Sequence, residues 1–251
     1  MKSSTKSAKD TILSLFDEPN EKVTSEINRT NLGTFRDSLR APVHRWFTYP
    51  AGFSFKAVEE TFKAYGIKPG MTVYDPFAGT GTTLVVAKQQ GINSYGVEAH
   101  PFVQFVARTK LFWEFDFDEL TIKIERFISD IEKITKQRNI HEIQIEEIFP
   151  ELVQKCYSRE KLARLYICRQ VVNAISEEHF HRLAKLALTN LLRTVADVAT
   201  GWPYIAPKKE KNQTQAKLDS SMDVTKLLWK QLRQMQSDLQ MIRAVSKSGG
   251  I

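Results

Sequence analysis

Asp75-Pro76-Phe77-Ala78-Gly79-Thr80-Gly81-Thr82-Thr83 is the stretch whose residue types and spacing could do chemistry. Two glycines between a strand end and a helix start let backbone N–H groups approach a ligand, and the helix start favours a negative or carboxylate group. Glu98 stands 17 residues beyond Gly81, at the end of the next strand, where an α/β fold places a carboxylate that takes the hydroxyls of a ribose. The spacing discriminates among cofactors. A dinucleotide fingerprint needs a third glycine where Leu84 stands, and a Walker loop needs Lys after its last glycine, where this chain has Thr82. An acid at the first strand end, a glycine loop without a third glycine and a ribose acid together suit S-adenosylmethionine. Its ammonium and carboxylate take the place of phosphates, and Pro101 and Phe102 could wall its adenine. The competing reading is a structural turn in which Asp75 only caps and the glycines merely turn.

The elements that must position these residues follow from periodicity and turn chemistry. Ser54 is placed to cap a helix running to about Tyr65, and Ile67-Lys68-Pro69-Gly70 is a turn. Met71 to Asp75 reads as a short buried strand, Thr82 to Gln90 as a helix ended by Gly91, Asn93 to Val97 as a second strand, and Pro101 to about Trp113 as a helix. Beyond Trp113 only helices are expected: Phe117 to Arg138, Glu160 to Ile175 and Glu178 to Ala199. The stripe Val224, Leu228, Leu232, Met235, Leu239, Ile242 is close to a coiled-coil seam. It predicts a helix that lies on its own domain or is available to a partner. The first 25 or so residues, rich in Ser, Lys and Glu, read as a mobile arm.

DPFAGTGTT followed by YGVEAHPF resembles motifs I and II of the amino-methylating DNA methyltransferases, which methylate adenine N6 or cytosine N4 from S-adenosylmethionine. The upstream YPAGFSFKAVE resembles their motif X. The resemblance covers about residues 44 to 113. It implies that Asp75, Pro76, Phe77, Ala78, Gly79, Thr80, Gly81, Thr82 and Thr83 line the methionine and sulfonium side, that Glu98 holds the ribose beside Ala99 and Phe102, and that Phe53 and Ser54 cover the site.

The family's other signature, Ser/Asp/Asn-Pro-Pro-Tyr/Phe, orients the target amine and stacks on a flipped base. None of the nine prolines here is adjacent to another. Gly201-Trp202-Pro203-Tyr204 lacks an acceptor side chain at its first position and reads better as a turn. Neither Cys156 nor Cys168 follows a proline, which disfavours a cytosine-carbon nucleophile. The catalytic residues are therefore unknown from this sequence. The fold expected is α/β: a partial Rossmann-like class I methyltransferase core with a large helical insertion and a C-terminal helix, its sheet completed by a partner chain. The leading expectation is the S-adenosylmethionine-binding subunit of a split DNA methyltransferase, a heterodimer of a restriction-modification system, acting on double-stranded DNA with a second subunit that carries the Pro-Pro-Tyr motif. The alternatives are a non-catalytic accessory subunit and a fragment of a guanine-N2 tRNA methyltransferase. The parts expected are an arm at 1–43, the cofactor part at 44–113, a helical region at 114–206, and a basic loop with the C-terminal helix at 207–251.

Composition agrees with this outline. At 251 residues and 42% hydrophobic the chain is long enough to bury a sizeable core. The net charge of +7 is uneven: residues 207–251 carry nine Lys and Arg against four Asp and Glu, whereas residues 51–120 are net −2. Contact with a polyanion therefore falls to Arg45 near the cofactor mouth, with an arm that packs against the next domain as its competing reading, and to Lys208, Lys209 and Lys211, with an exposed linker as theirs. No apolar run approaches a membrane span and the start lacks a secretory h-region, so a cytoplasmic protein is expected. Two cysteines make no disulfide framework and read as buried free thiols. His179 and His181, two apart on a helix, point to different faces, which gives a solvated surface and no metal site.

Overall fold

A computed structural model describes residues 37–49, 52–198 and 223–248. Most of the N-terminal arm, Gly201 to Tyr204, and Lys208, Lys209 and Lys211 lie outside the described residues.

The chain is described first as two short 3-10 turns, Asp37–Leu39 and His44–Trp46, leading to helix α1, Phe55–Ala64. Ser54 caps α1 as expected, its Oγ accepting from the Lys56 N–H at 3.2 Å. Strands β1, Thr72–Asp75, and β2, Asn93–Gly96, are joined by helix α2, Thr82–Gln89, and pair in parallel with Tyr74 opposite Tyr95 and Asp75 opposite Gly96. Gly91, in the left-handed region at φ 66°, ends the turn after α2. Val58 and Phe62 of α1, Val86 and Ala87 of α2, and Ile92 form a small core on one side of this two-stranded sheet, with Val73 against it. Gly96 makes the close approach of α2 possible: a Cβ there would lie 2.8 Å from both Ala78 Cβ and Leu84 Cδ1.

Strand β1 is not buried as expected, and β2 is open as well. Thr72, Tyr74, Asn93 and Tyr95 are exposed, Tyr74 at 64% and Tyr95 at 68%. Parallel strands are buried when helices cover both faces, and here α1 and α2 share one. Apolar composition fits a strand for burial without providing the elements that would cover it.

Helix α3, Pro101–Lys110, turns the chain toward the helical part: α4, Phe117–Gln137; the single turns α5, Ile145–Ile148, and α6, Glu151–Gln154; α7, Arg159–Asn173; α8, Glu178–Val195; and α9, Val224–Ser248. The long helices start at side-chain caps from Asp116, Ser158 and Glu177. Leu120, Ile124 and Ile131 of α4, Leu162 and Ile167 of α7, and Leu183 and Leu186 of α8 meet the α9 stripe in one core that also takes in Val43, Trp46, Val85 and Val106. Val224, Leu228, Leu232, Met235, Leu239 and Ile242 are all buried within the chain. The α9 seam is therefore spent on α4, α7 and α8 and is not open to a partner.

Cys156 and Cys168 are free and buried, and burial pushes the Cys168 thiol up to about 12. His179 is not on a solvated face: it is half-buried, its ring stacked on Phe112 with centroids 3.5 Å apart. Among the described residues no helix is long and apolar enough to cross a membrane.

Candidate cofactor-binding site

The loop between β1 and α2 stands at the carboxyl ends of both strands, the position at which open α/β sheets bind ligands. Its backbone is tied to the sheet and to itself. Val97 N–H donates to Asp75 O at 3.0 Å, Ala78 N–H to Val97 O at 2.9 Å, and Gly81 N–H to Ala78 O at 2.8 Å. Asp75 caps its own loop, Oδ1 accepting from the Phe77 N–H at 3.0 Å. Both loop glycines are left-handed, Gly79 at φ 53° and Gly81 at φ 83°, and a Cβ on Gly81 would meet Ala107 Cβ at 3.2 Å. Gly81 therefore serves both the turn and the close packing of α2 on α3.

Glu98 is the residue that joins loop and second strand. Its Oε2 accepts from the Gly79 N–H at 3.0 Å and its Oε1 from the His100 N–H at 2.8 Å. Two backbone donors fix the carboxylate, and each oxygen keeps a lone pair for a hydroxyl. Thr80 is buried with no hydrogen-bond partner for its Oγ1, Ala78 and Thr82 are buried, and Thr83 is half-buried. Pro76, Phe77 and Ala99 are exposed, Phe77 at 86%. Phe102 is half-buried, meeting Phe47 edge-on at 5.4 Å. The unpartnered Thr80 hydroxyl, the two glycines and the pre-set Glu98 carboxylate fit a ligand with a hydroxylated sugar at one end and a compact polar group at the other. The α2 start offers first-turn N–H groups without intrahelical acceptors. Ser54 is committed to its cap, and Phe53 beside it is 41% exposed.

Ahead of this loop lies a turn that sequence reasoning did not find. Val43 has φ 65° and ψ −45°, and His44 N–H donates to Pro42 O at 2.7 Å, a γ-turn of the strained hand. A β-branched residue in the left-handed region costs of order 1–3 kcal/mol and persists only where its surroundings hold it. Asp238 of α9 does so: Oδ2 accepts from Val43 N at 3.1 Å, Arg45 Nε at 3.0 Å and Trp46 Nε1 at 3.0 Å, while Oδ1 pairs with Arg45 Nη2. Arg45, expected near nucleic acid, thus has its guanidinium turned inward onto a carboxylate, with Nη1 on Arg40 O at 3.3 Å. Its basicity is used in the fold, because a fully buried Asp238 requires a cation. Asp238 was detectable in principle: three after Met235 and four before Ile242, it lies on the apolar face of its helix.

Below the turn, His44 stacks on Phe55 at 5.2 Å and its carbonyl accepts from Lys110 Nζ at 3.2 Å. Both groups are buried. Desolvation pushes Lys110 down to about 7, and desolvation with the nearby Lys110 charge pushes His44 down to about 3. A separate apolar cavity of about 630 Å³, lined by residues including Leu152, Tyr157, Leu165 and Leu192 in the helical part, shares no residue with the glycine loop.

Residues 2–107 match the DNA methylase family. That segment, less than half of the chain, is similar to the DNA methylase family. Among curated relatives of the chain, the Type II methyltransferase M.BsoBI of Geobacillus stearothermophilus is 32% identical over 130 residues, covering 51% of this chain and 25% of that protein. The Type II methyltransferase M.MvaI of Kocuria varians is 25% identical over 187 residues, 70% of this chain and 40% of that protein. The Type II methyltransferase M.MjaII of Methanocaldococcus jannaschii is 28% identical over 140 residues, 55% of this chain and 25% of that protein. The matches thus span between a quarter and two fifths of the length of these relatives. No solved structure gives a significant match.

Proposed function

We propose that this chain is the S-adenosylmethionine-binding part of a DNA methyltransferase that modifies an exocyclic amine, adenine N6 or cytosine N4, and that a second chain supplies the Pro-Pro-Tyr motif. The observation that carries the cofactor reading is Glu98, fixed by the Gly79 and His100 N–H groups at the mouth of a two-glycine loop. S-adenosylmethionine, when bound, supplies an electrophilic sulfonium methyl group. The chain's own work is to hold and orient. Glu98 would take the ribose hydroxyls, Asp75 and the α2 start would face the methionine end, and Phe102 would wall the adenine. Ala107 against Gly81 keeps α2 packed on α3, and Ala78 against Gly96 holds the loop on β2.

Two observations favour the partner. The 251 residues contain no Pro-Pro pair, and the described sheet stops at two strands with Tyr74 and Tyr95 in solvent. A two-stranded parallel sheet with one bare face has the form of a core that another methyltransferase segment completes. Double-stranded DNA is the proposed substrate, in line with the DNA methylase family that residues 2–107 match.

Calorimetry with S-adenosylmethionine on the full chain tests the cofactor reading. Saturable binding is expected for the wild type, with Glu98→Ala weakened by about tenfold or more, the loss of a charge-assisted hydrogen bond to a hydroxyl. Equal binding by wild type, Asp75→Ala and Glu98→Ala would remove the assignment.

A further inference from the structure

Asp238 lies beside the apolar stripe of α9, is fully buried, and meets four donors, all of them from Val43, Arg45 and Trp46. A carboxylate offers about four acceptor sites, so this one is filled by a single four-residue turn. A buried ion pair is weak support for stability by itself, since packed aliphatic side chains of similar volume often serve as well. What an aliphatic residue could not do is hold the Val43 N–H in the positive-φ turn. From that turn two aromatic contacts lead to the cofactor loop's surroundings. Phe47 meets Phe102, four residues after Glu98, and His44 stacks on Phe55, next to Phe53 and Ser54.

We infer that Asp238 is a positioning residue for the cofactor pocket: by holding Val43 in its γ-turn it sets Phe47 against Phe102 and fixes the start of α1, coupling the C-terminal helix to the pocket across the whole chain. The inference rests on the S-adenosylmethionine reading above and deepens it.

The test uses the full chain in four forms: wild type, Asp238→Asn, Val43→Gly and the double variant. Each is read by S-adenosylmethionine affinity and by amide hydrogen exchange over residues 47–49 and 52–55. Asn keeps the size of Asp238 and an acceptor but loses the charge opposite Arg45. Asp238→Asn is expected to weaken S-adenosylmethionine by about tenfold, or ~1.4 kcal/mol, and to speed exchange in both stretches. Val43→Gly alone stays within about twofold of wild type, because glycine takes positive φ without a Cβ penalty. The double variant recovers most of the affinity and the protection.

Wild-type affinity and exchange in Asp238→Asn, or failure of Val43→Gly to rescue, would overturn the positioning role while leaving the cofactor reading intact. No binding by the wild type, with exchange responding as described, would sink the cofactor reading and leave the segment's dependence on Asp238 established. Should Asp238→Asn not fold, Arg45→Lys carries the test. Lysine lacks the two-pronged fork, so an intermediate loss that Val43→Gly also rescues is expected, and no loss would overturn the inference.

Discussion

The helical part and the α/β part of this chain differ in how far their apolar side chains are covered. In the helical part, the α9 stripe from Val224 to Ile242 disappears entirely against α4, α7 and α8. In the α/β part, Tyr74 and Tyr95 lie side by side on a sheet face that no described element covers. Apolar periodicity states which face wants to be buried; burial also needs a covering partner, and here the helices find theirs within the chain while the strands find one for a single face. The helical part therefore reads as a scaffold that holds an open α/β layer. The strained turn at Val43, clamped by Asp238, is one of the points where scaffold and layer meet.

The comparison can be broken at several places. Leu232→Ala in the closed core should cost about 2–5 kcal/mol, measured as a loss of chemical-denaturation stability; a cost below about 1 kcal/mol would mean that the α9 seam is not a core. Gly81→Ala, at the seam between loop and α3, forces a side chain to φ 83° and onto Ala107, for an expected loss of about 1–3 kcal/mol with loss of S-adenosylmethionine binding. Unchanged stability and binding would show that the loop is slack.

Lys110 sharpens the comparison through pH. Its folded value, lowered by burial to about 7, lies below the unfolded 10.5, so from about pH 7 to 10.5 the unfolded chain binds more protons and stability rises with pH. The cost of the buried charge is full below pH 7. Lys110→Met should therefore stabilise by on the order of 1 kcal/mol at pH 6, the gain being reduced by the lost bond to His44 O. The gain should vanish by pH 10; a pH-independent effect in thermal melts would contradict the assignment. The smallest effect is expected at the bare face, where Tyr95→Ser should change the stability of this chain by less than about 0.5 kcal/mol. A large loss would show that the face is covered after all.

Much of the site was legible because its signals are local. Ser54 caps within two residues, Gly79 and Gly81 set their own backbone, Gly91 ends its own helix, and Glu98 reaches Gly79 across one βα unit. What escaped was long-range. Asp238 finds its donors some 190 residues away, so its place on an apolar face signalled burial but not its partners. Arg45 suited either a phosphate or an arm packed on the next domain, and only the tertiary contact with Asp238 decides between them. His179 looked solvated from its spacing because nothing in the helix itself announces Phe112. Val43 offered no signal at all, since valine argues against the conformation it adopts.

The most direct test of the central claim is transfer of labelled methyl from S-adenosylmethionine to duplex DNA by this chain, alone and with a second methyltransferase chain that carries Ser/Asp/Asn-Pro-Pro-Tyr, each with wild type and Glu98→Ala. The account predicts transfer only when both chains are present and strong loss with Glu98→Ala; transfer by this chain alone at a rate the second chain does not change would contradict it.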